Sequence, residues 1–149
     1  MTEQSFEYRL RVRYAECDAQ HVVFNARYGD YVDIAINEYV RMLFGHYQNM
    51  LDQGLDMQVV NMNLSWKAPA RFDEVLCARI HPGKLGNTSF VVRVEFFRFG
   101  DDTHIMDAEV TYVMIDPATM SKKAIPPSVR ELLAAGAPGK LISHAGEEV

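Results

Sequence analysis

The sequence predicts an α+β domain in which one long helix packs against an antiparallel sheet of five strands. Three observations lead to this prediction. The apolar pattern runs in the order strand, helix, four strands, with the period changing from two to three or four residues and back. Short turn sequences, PGKLGN and GDD, separate the later strands and favour antiparallel neighbours. The 149 residues, 48% hydrophobic and 23% charged, suffice for one domain with a full core.

The first predicted strand extends from Phe6 to Tyr14. Apolar or aromatic side chains alternate with charged ones throughout FEYRLRVRY, which is typical of a half-buried strand. The next ten residues, AECDAQHVVF, show no period and are interpreted as a loop. Loops held by a rigid scaffold often carry reactive side chains, so this one is the first candidate for a functional site.

A long amphipathic helix is predicted after the loop. Asn25 is its expected N-cap, because the side-chain oxygen can accept from the unpaired N–H groups of the first turn. Gly45 is the expected stop. The apolar residues recur at three- and four-residue spacing. They are Tyr28, Tyr31, Val32, Ala35, Tyr39, Met42 and Leu43.

Four further strands complete the predicted sheet. The one over residues 90–99 carries apolar side chains on both faces, so it is expected to be central and covered on both sides. Because a single long helix covers only one face, the remaining face or edges predict a homo-oligomer. The strands are predicted over residues 60–66, 74–81, 88–99 and 104–115.

The C-terminal part of the sequence predicts a short helix and then a tail. Ser128 stands three residues before Glu131, which is the spacing of a capping box. From Gly136 onward glycine, alanine, proline and charged residues dominate. We therefore expect a single domain over residues 1–135 and a flexible tail over residues 136–149.

Charge and cysteine content exclude several classes of function. A net charge of -5 argues against a protein that holds a nucleic acid backbone. Residues 1–15 lack the apolar core of a signal peptide, and no stretch approaches the ~20 apolar residues of a membrane span, so a cytoplasmic protein without a membrane segment is expected. Cys17 and Cys77 form no CxxC pair or zinc-type cluster, which argues against a structural metal.

Common catalytic signatures are missing from the sequence. It has no GxSxG elbow, no GxxxxGK[ST] loop and no GxGxxG before a helix. The loop from Tyr14 to Phe24 instead delivers carboxylates, a thiol and an imidazole to the start of the long helix. Unpaired N–H groups at a helix start can stabilise an oxyanion, and a nearby carboxylate can activate water.

The stretch YAECDAQHVVFNARYGDY, residues 14–31, resembles the opening motif of hotdog-fold acyl-CoA thioesterases of the 4-hydroxybenzoyl-CoA thioesterase-like superfamily. Asp18, His21-Val22 and Asn25-Ala26-Arg27-Tyr28 are particularly similar to the long-chain acyl-CoA thioesterase branch. The looser resemblance covers residues 6–133. It implies a hotdog fold, in which a curved antiparallel sheet wraps around the long helix.

The resemblance also implies a mechanism. Asp18 would act as general base for water or as a nucleophile that forms a transient anhydride, and the backbone N–H of Asn25 would polarise the thioester carbonyl. No metal or redox cofactor is implied. Acyl-CoA is the expected substrate, and the protein is expected to form a homodimer or a dimer-of-dimers tetramer with active sites at the dimer interface. The expected substrate-binding residues are Tyr14, His21, Phe24 and Tyr28.

Two other functions stay open at this point. A hotdog hydratase or dehydratase would need a histidine that works with a carboxylate, but the spacing of Asp18 and His21 is shorter than in that motif. A non-catalytic acyl-thioester-binding protein would keep the fold and the pocket alone. The sequence does not decide between aromatic and aliphatic acyl groups or between dimer and tetramer.

Individual loop residues also have simpler interpretations. Asp18 alone could be a turn residue, and Tyr14 is expected in the core or in a pocket wall. His21 is better explained by a loop-positioning hydrogen bond or by stacking than by an acid–base pair with Asp18. Cys17 lies between Glu16 and Asp18, whose negative charges disfavour a thiolate, so it is not expected to be a nucleophile.

Overall fold

The computed structural model describes residues 5–147, which form six strands and three α-helices. The order of strand, long helix and four strands matches the prediction, with a short helix added between α1 and β2. In chain order the elements are β1 (Phe6–Arg11), α1 (Arg27–Phe44), α2 (Tyr47–Asp52), β2 (Asp56–Trp66), β3 (Val75–Leu85), β4 (Ser89–Arg98), β5 (His104–Ile115), α3 (Pro127–Ala135) and β6 (Leu141–Ser143).

All six strands form one sheet in the order β2-β5-β4-β3-β1-β6. The neighbours are antiparallel, except that β6 runs parallel to β1. The predicted α+β class is confirmed, and the strand count is six rather than five. Within the described residues β2 is an edge strand that pairs only with β5.

One face of the sheet, the inner face, packs against α1. In β1 the side chains of Phe6, Tyr8 and Leu10 are buried while the charged residues between them face away, as the alternation predicts. Gly45 ends α1 in the left-handed conformation, as expected. The buried residues of α1 fall on one stripe and are Tyr28, Tyr31, Val32, Ala35, Ile36, Tyr39 and Val40.

The opposite, outer face carries charged and aromatic side chains. No helix in residues 5–147 covers it, so within one chain a helix covers β4 on the inner face alone, and cover of its outer face by a second copy stays a prediction. Arginines cover the aromatic rings instead: the Arg79 guanidinium lies 4.2 Å from the Phe97 ring centroid, and that of Arg9 lies 4.8 Å from Phe99. The second prediction for β4, its central position, is confirmed.

The segment after Gly136 differs from the predicted flexible tail. Its strand β6 pairs with β1, and Glu7 N–H donates to Lys140 O at 2.9 Å while His144 N–H donates to Arg9 O at 3.0 Å. Ala145 is buried. Three strand residues are too few to give an alternating pattern, so the sequence did not predict this strand. Residues 148 and 149 of the predicted tail lie outside the described part.

Membrane insertion by a helix finds no support in the described residues. No helix within residues 5–147 combines the length and the apolar character that a bilayer crossing requires.

Candidate active site

The loop between β1 and α1 is anchored by a buried carboxylate. A single 3-10 turn, Tyr14–Glu16, follows the strand, and Glu16 is the one charged residue buried in the described chain. Its carboxylate accepts hydrogen bonds from the Arg13 backbone N–H at 2.8 Å, the Arg13 guanidinium at 2.6 and 2.8 Å, and the Tyr31 hydroxyl at 2.8 Å. We call residues 13–16 the loop stem; its contact with Tyr31 ties the loop to α1.

The environment of Glu16 keeps it ionised. Desolvation acts to raise the pKa of this carboxyl, but the hydrogen bonds from Arg13 and Tyr31 outweigh it and hold the pKa below its ordinary value. Burial and the Glu16 carboxylate together raise the pKa of the Tyr31 hydroxyl, which therefore stays a donor. The loop stem is a charged but satisfied network.

Asp18 lies in the loop tip, residues 18–21, which folds back on itself. Asp18 N–H donates to Val22 O at 2.9 Å, and His21 N–H donates to Asp18 O at 3.0 Å. The side-chain Oδ1 of Asp18 accepts from Gln20 N–H at 2.8 Å. Within residues 5–147 no basic side chain forms an ion pair with Asp18, so its carboxylate is free to act on a ligand.

The loop tip and the loop stem face a first cleft of about 430 Å³. Tyr14 does not lie in the core: β1 ends at Arg11, three residues earlier than predicted, and the Tyr14 side chain is 77% exposed. Its ring packs edge-on against Phe72 with 5.8 Å between centroids, which makes it a wall of the cleft. The lining residues are Tyr14, Ala15, Cys17, Asp18, Ala19, His21 and Phe72.

A second cleft of about 330 Å³ lies beside the start of α1. Tyr28 forms part of its wall, but the hydroxyl is engaged, since it accepts from Ala70 N–H at 3.2 Å. The ring of Tyr28 packs against Trp66, 5.9 Å between centroids. The lining residues are Val23, Asn25, Tyr28, Trp66, Lys67, Ala68 and Pro69.

Asn25 does not cap the helix with its side chain, as had been expected. The N-cap position is Ala26, whose backbone is already helical, and no side chain caps α1. The turn before α1 supplies acceptors instead: Arg27 N–H donates to Phe24 O at 2.8 Å and Tyr28 N–H to Asn25 O at 3.3 Å. A helical backbone at this position removes the extended geometry that a capping side chain needs.

The backbone at Asn25 nevertheless offers free donors. Among the described residues, neither the Asn25 N–H nor the Ala26 N–H donates to another protein group. Such unpaired N–H groups at a helix start carry partial positive charge, and the second cleft is lined by one of these two residues. They have the chemistry of an oxyanion site.

The predicted site residues divide between the two clefts. Tyr14, Asp18 and His21 line the first, whereas Asn25 and Tyr28 line the second. Phe24 lines neither of these clefts and is 48% exposed. The single chain therefore does not place Asp18 and Asn25 in one cleft.

Several residues that line or support the clefts were not predicted as site residues from the sequence. Phe72 and Trp66 complete the walls of the two clefts, and Glu16 anchors the loop. The spacing Arg13-x-x-Glu16 was a possible signal, because residues three apart meet on one turn. Trp66 and Phe72 are distant in sequence from the loop, and only the folded sheet brings them there.

Cys17 lines the first cleft but is poorly suited to be a nucleophile. Desolvation, with the neighbouring Glu16 and Asp18 carboxylates, raises the pKa of its thiol. The structure thus agrees with the expectation that Cys17 is not a nucleophile.

The family is decided by sequence comparison. The model of the family described as the thioesterase superfamily matches residues 20–105, more than half of the chain. The chain belongs to the thioesterase superfamily. This membership confirms the resemblance seen in residues 14–31 and the enzyme class, a thioester hydrolase.

Relatives of this thioesterase superfamily member match over most of their length. The acyl-CoA thioester hydrolase YbgC of Escherichia coli is 29% identical over 129 residues, covering 87% of this chain and 96% of the relative. A crystal structure of a protein from Aquifex aeolicus is 28% identical, with a TM-score of 0.78, covering 86% of this chain and 98% of that one.

A third comparison bears on the fold alone. A thioesterase superfamily structure from Jannaschia superposes with a TM-score of 0.82 at 19% identity, covering 93% of this chain and 99% of that one. The predicted hotdog fold is thereby confirmed.

Proposed function

We propose that this protein hydrolyses acyl-CoA thioesters, with Asp18 activating the attacking group and the backbone N–H of Asn25 binding the carbonyl oxygen. The observation that carries the proposal is the pair of unsatisfied groups at the two clefts: a carboxylate without a basic partner and a helix-start N–H without an acceptor, both within the described chain. The likeness to YbgC, named as an acyl-CoA thioester hydrolase, supports the same chemistry.

The proposed reaction needs only these groups and water. As a general base, Asp18 takes a proton from water, whose oxygen attacks the thioester carbon while the carbonyl oxygen gains negative charge. The Asn25 N–H donates to that oxygen. Collapse of the intermediate breaks the C–S bond and releases CoA as its thiol, with the proton returned from Asp18. In the nucleophilic alternative the Asp18 carboxylate attacks the thioester carbon, the C–S bond breaks and CoA leaves as its thiolate. Water then cleaves the anhydride, which releases the acid, restores the Asp18 carboxylate and supplies the proton that the thiolate takes up.

A second copy of the chain is part of the proposal. The strand β2 lies at the sheet edge and exposes Val60 at 57% and Trp66 at 48% of their surface. Exposed apolar residues on an unpaired edge favour strand pairing with another chain. We propose a homodimer joined through β2, in which residues of both copies complete the site that one chain leaves in two parts.

The proposal also includes a contact for the CoA phosphates and a cellular compartment. Lys67 lines the second cleft and forms no ion pair among the described residues, so it is our candidate for a CoA phosphate contact. Cys17 and Cys77 are both free thiols in a protein whose proposed substrate is itself a thiol ester, which fits the reducing cytoplasm.

The test is thiol release from short, medium, long and aromatic acyl-CoA esters. The wild type is expected to release CoA from at least one class, and Asp18→Asn to be at least ~100-fold slower, which is within the range for loss of a positioned acid–base group. Asp33→Asn, an exposed carboxylate on α1, serves as the control and should keep full activity. Release from no ester, or equal rates for wild type and Asp18→Asn, would contradict the proposal.

The dimer is tested by light-scattering mass on a sizing column. Val60→Lys places a charge on the β2 edge and should shift the protein toward monomer and lower its turnover. Leu132→Lys changes an apolar residue that is 38% exposed on α3, away from β2, and should leave the mass unchanged. A Val60→Lys protein that keeps the wild-type mass would place the interface elsewhere.

A further inference from the structure

A β-bulge in β5 changes which side chains reach the outer face. In a regular strand, residues three apart point to opposite faces. Here Phe96 pairs with Met106 and Phe97 with His104, so Ile105 is an extra residue in β5. As a result His104 and Asp107 project from the same face, with His104 Nε2 2.6 Å from Asp107 Oδ1.

Glu95 on the neighbouring strand completes a cluster of three. Glu95 is directly opposite Asp107 in the β4–β5 register. One ligand atom from each of Glu95, His104 and Asp107 lies within 4.8 Å of the others, and all three residues are half-buried. On the other side, His81 of β3 holds Glu95, with 2.9 Å between His81 Nε2 and Glu95 Oε1. Three adjacent strands thus contribute two carboxylates and two imidazoles.

Neighbouring charges leave these carboxylates available. Within residues 5–147 no arginine or lysine forms an ion pair with Glu95 or Asp107. Arg79 stands opposite Glu95 in the β3–β4 register, but its guanidinium stacks on Phe97 and pairs with Asp102 at 3.1 Å and with Glu7 at 3.5 Å. Arg93 lines the same shallow depression, of about 510 Å³, and stands opposite Glu109 in the register.

The imidazole of His104 is oriented by packing. Its ring stacks on Phe97 with 4.8 Å between centroids and 17° between planes. A ring fixed in this way loses less freedom on binding a ligand than a mobile surface histidine. The bulge and Phe97 together give His104 one position beside Asp107.

We propose that this cluster binds one divalent transition-metal ion of the zinc class, with His104, Asp107 and Glu95 as ligands and His81 orienting Glu95. Imidazole with carboxylates favours zinc over magnesium or calcium, which prefer oxygen ligands alone. With bonds of about 2.1 Å, tetrahedral ligand atoms stand about 3.4 Å apart, so side-chain rotations suffice to form the site. Water fills the fourth position at this half-exposed surface. The ion would link β4 to β5 on the face opposite the active-site helix.

The experiment is calorimetric titration of Zn²⁺ into the full-length chain, freed of any histidine tag and of metal, near neutral pH. One equivalent is expected to bind, and Mg²⁺ at the same concentration is not. His104→Gln and Asp107→Asn should each weaken Zn²⁺ binding at least ~10-fold, since even residues outside the ligand set cost 10 to 100-fold at metal sites. His81→Gln should have a smaller effect in the same direction.

Glu109→Gln is the matched control. It removes one negative charge from the same strand and face, two residues from Asp107, without removing a proposed ligand. It should change Zn²⁺ affinity by less than ~3-fold. Equal losses in Glu109→Gln and Asp107→Asn would mean diffuse attraction to an acidic surface and would overturn the site.

Two further outcomes count against the proposal. If no saturable Zn²⁺ binding occurs, the cluster is only a hydrogen-bonded surface network. If binding persists in His104→Gln and is lost in Cys17→Ser, the ion lies at the active-site loop instead. The absorption spectrum of the Co²⁺ form distinguishes these cases, because a thiolate ligand adds a sulfur charge-transfer band that nitrogen and oxygen ligands lack.

Discussion

The loop stem and the loop tip hold two carboxylates only two residues apart in sequence, yet they differ in almost every physical respect. Glu16 in the stem is buried and accepts from Arg13 and Tyr31. Asp18 in the tip is half-exposed, accepts from one backbone N–H, and has no basic partner among the described residues. One short loop thus separates anchoring from reactivity. A carboxylate with an arginine partner holds the loop in place, and one without a basic partner is left for chemistry.

The largest expected difference between the two carboxylates is in turnover. Asp18→Asn should reduce the rate of thioester hydrolysis at least ~100-fold and leave the free energy of unfolding unchanged within about 0.5 kcal/mol, because it keeps the shape and the accepting Oδ1 of a half-exposed side chain. The measurement pairs thiol release with urea unfolding of the same preparation. A large loss of stability in Asp18→Asn would show that Asp18 in the tip, like Glu16 in the stem, holds the loop in place.

Glu16→Gln should show the opposite pattern. It removes the charge that accepts from Arg13 and Tyr31, and hydrogen bonds to charged groups contribute about 1.5–3 kcal/mol. We expect unfolding to become easier by about 2 kcal/mol, while turnover at low temperature falls by less than ~10-fold. Urea unfolding and thiol release again provide the measurements. Arg13→Gln leaves the hydrogen bond from Tyr31 to Glu16 intact and should lower the free energy of unfolding by less than Glu16→Gln. An unchanged urea midpoint in Glu16→Gln would show that the stem does not anchor the loop.

Acid should reduce the difference in unfolding free energy between the wild type and Glu16→Gln. The pKa of Glu16 is lower in the folded protein than in the unfolded chain, so its contribution to stability is complete at neutral pH and is lost as the pH falls through the folded value. Unfolding free energies measured from about pH 7 to about pH 3 should therefore converge for the two proteins. A gap of constant size across this range would show that Glu16 stabilises through shape alone.

The smallest effect concerns the backbone of the tip. His21 has a φ of 66°, in the left-handed region that favours glycine. His21→Gly removes a strain of about 1–2 kcal/mol and adds about 0.5–1 kcal/mol of chain entropy to the unfolded state, for a net gain of about 0.5–1 kcal/mol. His21→Ala, which keeps the strain, should show no gain. Thermal unfolding of both variants checks this; equal melting temperatures would show that the tip is unstrained.

Much of this organisation follows from local sequence patterns. Alternation in residues 6–11 and the apolar stripe of α1 are set by neighbours a few residues apart, and both were predicted. Asn25 was misplaced as a cap because the backbone of the turn before α1 is already helical, which side-chain type does not reveal. The bulge at Ile105, the strand β6 and the contact of Tyr31 with Glu16 depend on pairing between distant segments, which single-sequence periodicity does not contain.

The short strand β6 also bears on how far association can proceed. A sheet with two open edges can add strands at both ends and grow into a fibre. Here β6 covers β1 with only three residues and so offers no long template, whereas β2 at the other end spans eleven. Such a sheet has a single growing end. Pairing of two β2 edges uses up both of these ends, and edge-to-edge assembly then terminates at two copies.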